Sequence, residues 1–149
     1  MNMKKRTWRF LFATSSDKNI GLLFLRLFAG AGLIAHGYSK IFAGPERWAK
    51  LGSVLSKIGI DFLHPFWGFM AAFAEFFGGI MILLGLFTTI ASFLVFCTML
   101  AAGMIHHHGD NFFKREPALL YLFISFFFMI KGAGAFSLDW IIEKFLNKK

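Results

Sequence analysis

Residues 19–42 form an apolar run long enough to cross a ~30 Å hydrocarbon layer at 1.5 Å per residue, yet the run contains Arg26, His36 and Lys40. An ionisable group at such depth costs roughly 2.5 to 3.5 kcal/mol on insertion scales unless protein or water receives it. Steps of four and three residues place Arg26, Gly30, Leu33, Gly37 and Lys40 on one side of a helix. That side must face other helices, so the remainder of the chain has to supply them.

The composition agrees. Of 149 residues 57% are hydrophobic, and 22 Phe against 2 Tyr suit lipid-facing side chains better than a water-soluble core. The net charge of +8 does not indicate nucleic-acid binding, because the cations flank apolar runs and no basic patch interleaved with exposed aromatics occurs. A single cysteine, Cys97, sits within an apolar stretch and is expected to be a small packed hydrophobe. Disulfide and Cys-x-x-Cys chemistry within this chain is excluded. At the N-terminus, Lys4, Lys5, Arg6 and Arg9 precede an apolar patch too short for a signal-peptide core, which suggests an uncleaved arm lying on anionic headgroups.

Three further apolar runs complete the pattern. Residues 65–85 hold one charge, Glu75, and Ala71, Glu75, Gly78, Ile82 and Gly85 make a second small-residue seam. A short connection leads to residues 90–105, which predicts antiparallel neighbours, with Ser92, Met99, Gly103 and His106 on the bundle side. Residues 118–130 are short for a span and need Phe112 and Phe113, or residues beyond Lys131, to extend them. Between the first two runs, residues 44–64 carry Trp48, Leu51, Leu55 and Ile58 on one side and Lys50, Ser53 and Lys57 on the other, the pattern of an interfacial amphipathic helix. The fold class is therefore all-α: an integral membrane four-helix bundle with an interfacial amphipathic helix between spans 1 and 2. Residues 1–18 form a basic arm, 19–134 the membrane domain and 135–149 an amphipathic tail. Lys4, Lys5, Arg6, Arg9, Lys18, Lys131, Lys144, Lys148 and Lys149 lie on the termini side, against Arg47, Lys50, Lys57, Lys114 and Arg115 opposite. That excess predicts cytoplasmic termini.

Arg26 and Glu75 are each the deep charge of a small-residue seam and are expected to pair. Towards the other face His36, Lys40, His106 and Glu116 should reach a common depth, where imidazole and carboxylate groups can move protons or hydrogen-bond a quinone carbonyl. Arg26, His36, Lys40, Glu75, His106 and Glu116 are thus the candidate ligand-binding residues; no metal-ligand spacing appears, and Glu116 before Pro117 also suits a helix cap.

These residues carry a resemblance. Arg26, His36, Gly37 and Lys40, then Glu75, Gly79 and Gly85, then Glu116, Gly132, Gly134, Ser137 and Asp139 resemble the DoxX family of small bacterial four-helix membrane proteins. Where relatives often have Gly-Pro-Gly, this chain has Gly132, Ala133 and Gly134. The resemblance implies a protein of the cytoplasmic membrane. Some members are similar to a subunit of a thiosulfate:quinone oxidoreductase, and others are associated with thiol redox defence alongside partner enzymes. The leading expectation is a membrane subunit of a redox system with a charge-lined site for a quinone and an oxidoreductase partner. A proton-coupled or small-solute carrier, which would require a homo-oligomer, and a non-catalytic scaffold for a partner enzyme are the alternatives.

Overall fold

The computed structural model describes residues 20–146; the basic arm expected at 1–18 lies outside them. The described residues form six α-helices: α1 (Ile20–Ile41), α2 (Pro45–Gly52), α3 (His64–Leu84), α4 (Thr88–Ala101), α5 (Phe112–Lys131) and α6 (Leu138–Leu146). A 3-10 turn, Ser53–Ile58, comes after α2, and a π-helical turn, Ala102–His106, extends α4. The segments Ile20–Ile41, His64–Leu84 and Thr88–His106 are long and apolar enough to cross a membrane. In α5 the first turns carry Lys114, Arg115 and Glu116, and the helix runs from Phe112 through Pro117.

Glycine decides how closely α1 and α3 approach. A Cβ at Gly37 would stand 2.5 Å from the Phe76 nitrogen, and one at Gly30 would stand 2.8 Å from the Gly79 oxygen. Only backbones without side chains can meet at that spacing, and the matched pairs run antiparallel. Arg26, Gly30, Leu33 and Gly37 are buried, as are Glu75, Gly78, Ile82 and Gly85, so both seams face protein. Phe24 and Phe28, by contrast, are 65% and 79% exposed and form an outward apolar surface suited to lipid.

The segment between α1 and α3 is not one continuous helix. Gly44, with φ 86°, breaks the chain before Pro45, whose fixed φ suits a helix start. Helix α2 then packs against the first turns of α3: Gly52 abuts His64, Gly68 abuts Trp48, and the Trp48 and Phe69 rings are 5.0 Å apart. The order of these contacts continues the antiparallel run of α1, so α1 and α2 together cover α3 from end to end. Trp48 also donates its indole N–H to the Lys40 carbonyl (2.9 Å), tying the break shut. Since a Cβ at Gly68 would collide with the Trp48 backbone, Gly68→Ala must push α2 outward. Overpacking of this kind costs about 1 to 3 kcal/mol. Thermal unfolding in detergent should show the loss, with faster proteolysis around α2; an unchanged melting temperature would contradict the contact.

Helix α3 ends at Gly85 (φ 67°), where Leu86 N–H reaches the Met81 carbonyl at 2.9 Å, a Schellman closure. The tight turn makes α3 and α4 antiparallel neighbours, with Val95 over Gly78. On α4, Ser92, Met99 and Gly103 are buried as the spacing implies, whereas His106 is exposed. The π-turn inserts one residue into the last turn and rotates the end of the helix off the seam. Cys97 is also exposed, on the outward side of α4, and is not packed into the core.

Candidate functional site: two buried charge clusters

At mid-depth Glu75 is only 3% exposed, and both its oxygens lie 2.6 Å from Lys40 Nζ. The expected Arg26–Glu75 pair is therefore replaced by Lys40–Glu75. The cause is register. With Gly37 set against Glu75 and Phe76, Lys40 lies one turn from the carboxylate, while Arg26 lies three turns away at the opposite end. The Lys40 side chain is 29% exposed, so one end of the pair is open.

Tyr121 reaches this region from α5. Its hydroxyl rests on Gly32, where any side chain would displace it, and its ring meets His36 edge-on at 5.9 Å. Tyr121 is within electrostatic reach of Glu75, and His106 is within reach of Lys40 and Lys57. Lys40 and Glu75 thus pair in the half of the bundle away from the termini, where the sequence pattern puts Lys40 with His36, His106 and Glu116; His36 and His106 are exposed there, and Tyr121 is an addition. Tyr121 carries no charge and belongs to no obvious spacing, so only the tertiary structure reveals it. Glu116 is half-buried in the second turn of α5, and Asn111, not Glu116, occupies the N-cap position. Nearby, Arg115 Nε donates to the Gly103 carbonyl at 3.2 Å, receiving an acceptor at the π-turn. In the adjoining loop, Asp110 accepts from His107 Nδ1 at 2.8 Å, and this hydrogen bond holds its carboxyl below the usual range.

Arg26 belongs to a second cluster at the termini end. It is 2% exposed and donates through Nη1 to the Ala133 carbonyl at 2.6 Å and through Nη2 to the Phe136 carbonyl. Beside it Asp139, also 2% exposed, accepts from the Phe87 and Thr88 backbone N–H groups at 2.7 and 2.9 Å. Helix α4 has no capping side chain of its own, and Phe87 holds φ 47°; Asp139 supplies the missing cap from another part of the chain. Burial pushes the Asp139 carboxyl above its usual range, against the backbone donors and Arg26, which pull it down. Ser137 fixes the approach by donating to the Gly134 carbonyl and accepting from Trp140 N–H. Of the tail expected at 135–149, Ala135, Ser137 and Asp139 are therefore buried, while Phe136, Leu138 and the end of α6 are exposed.

Three helices fit to span a membrane, glycine-mediated crossings and two sheltered charge clusters define a small polytopic membrane protein. The DoxX family model matches residues 21–108, and the chain is 32% identical over 134 residues to an uncharacterised protein of Haemophilus influenzae, covering 85% of this chain and 92% of that one. The chain belongs to the DoxX family. No solved structure matches it.

Proposed function

We propose that the protein is the membrane subunit of a redox system and that the Lys40–Glu75 cluster binds a quinone head group. The observation that carries this reading is a buried carboxylate whose lysine partner is partly open, on a helix whose His36 meets the Tyr121 ring. An ammonium has three donors, two of which Lys40 directs at Glu75, leaving one for a carbonyl oxygen. The Tyr121 hydroxyl is a further donor of suitable kind, and Glu75 can exchange a proton when the bound group is reduced. Reduction of a quinone to a quinol takes two electrons and two protons; a partner oxidoreductase would supply the electrons. In this reading α5 is a fourth span, α2 lies at headgroup depth, and both termini face the cytoplasm of a bacterial inner membrane, consistent with the excess of cations on the termini side.

Purified protein titrated with a short-chain ubiquinone or menaquinone analogue should bind it saturably, with Lys40→Met and Glu75→Gln both weakening binding at least tenfold, the effect of removing roughly 1.4 kcal/mol. Saturable binding unaffected by either substitution, or none, would remove the quinone reading. Pull-down of a flavin or haem oxidoreductase from native membranes would support the subunit role.

A further inference from the structure

Two buried polar atoms in the termini half of the bundle, Arg26 Nε and Ser92 Oγ, have no hydrogen-bond partner, and a third, Thr88 Oγ1, faces the Asp139 carboxylate. Their residues are 2%, 0% and 0% exposed, so bulk water does not reach them directly. Orphaned hydroxyls inside proteins are ordinarily completed by bound water, because leaving them bare costs about 1 to 3 kcal/mol each. The three are also ordered in space. Thr88 lies beside the Asp139 carboxylate at the end of the bundle, and Ser92 lies one turn deeper on the same buried stripe of α4. Since Val95 and Ala91 oppose Gly78 on α3, Ser92 stands roughly 6 Å in depth from Glu75, a distance that one or two hydrogen-bonded waters would span.

We infer that this half of the bundle is a proton-entry route, leading from Asp139 past Thr88 and Ser92, through bound water, to the Lys40–Glu75 pair. Asp139 is the gate, a carboxyl sunk at the mouth with Arg26 as its counter-charge. Around the receiving carboxylate stand Lys40 from α1 and Tyr121 from α5, with His106 at the end of α4 within reach of Lys40. No electron moves along the route; a proton gained by Glu75 is one lost by the solution on the termini side. The inference rests on the proposed function for what consumes the proton, and the test separates the two.

Full-length protein is reconstituted in sealed vesicles with the pH set independently on each side, and Glu75 is challenged with dicyclohexylcarbodiimide, which modifies protonated carboxyls in apolar surroundings. Modification is read by mass spectrometry of the Glu75 peptide. Labelling should rise as the pH on the termini side falls, and the double variant Thr88→Val/Ser92→Ala should lose that response. A response to the opposite compartment, by way of the partly open Lys40, should survive in the same variant. Thr88→Ser/Ser92→Thr, which restores both hydroxyls, should recover the lost response. Ser92→Ala alone, which removes a hydroxyl that has no partner within the protein, should melt with the wild type. Indifference of wild-type labelling to the termini-side pH, or an undiminished response in the double variant, would each overturn the route. Quinone binding measured on the same preparations tests the separate reading: its failure with the labelling pattern intact would remove the ligand and leave the route standing.

Discussion

Replacement of Arg26 by Leu is expected to destabilise the detergent-solubilised protein by about 3 to 5 kcal/mol, the range for removing one partner from a buried charged network. Leucine fits the apolar bundle, so the loss comes from what the guanidinium leaves behind. The carbonyls of Ala133 and Phe136 lose their donor, and Asp139 loses its counter-charge at 2% exposure. Lysine at this position restores the charge but not the fork that serves two carbonyls at once, so Arg26→Lys should recover only part of the loss. The end of the bundle should open first: backbone amides of residues 133–139 should exchange with deuterium faster in Arg26→Leu than those of α1 and α3. A variant melting within a degree or two of wild type, with those amides still protected, would contradict the network.

The Lys40–Glu75 pair gives a second large effect, with an asymmetry. In Lys40→Met, Glu75 is left 3% exposed as a buried charge without a counter-charge. In Glu75→Gln, the lysine is left with a side chain already 29% exposed and can extend its ammonium towards water. Lys40→Met should therefore cost roughly 3 kcal/mol and Glu75→Gln nearer 1 kcal/mol, placing the two at opposite ends of what breaking a partly open buried pair does. The double variant Lys40→Met/Glu75→Gln should be more stable than Lys40→Met alone. Denaturant unfolding of the four proteins closes the cycle, and additive losses would show that the pair does not act as a unit.

The features legible in the sequence and those hidden from it divide along physical lines. The seams of α1 and α3 are legible because a charge among glycines at a seven-residue repeat admits one explanation, a helix face turned towards its neighbours. Which charge meets which is not legible. Arg26 and Lys40 lie on the same stripe of α1, and the choice between them depends on the offset at which Gly37 meets Phe76, which backbone contact sets. His106 departs from its expected place for a related reason: that place comes from counting 100° per residue, and a π-turn breaks the count without a sequence signature. Asp139 is visible as part of a family resemblance but not as a cap, because the helix that it caps begins 51 residues earlier. Local patterns report periodicity, and contacts of long separation do not register in them.

The link from Arg26 to Ala133 joins residues 107 positions apart, and this sets the order of assembly. During synthesis the first spanning helix enters the bilayer with a guanidinium whose acceptors have not yet been translated. The α3–α4 turn likewise waits for the carboxylate that caps it. A chain that stops short of Ala133 is thus a set of helices with an unmatched buried cation and an uncapped α4. Residues 133–139 therefore complete contacts that both α1 and the start of α4 require.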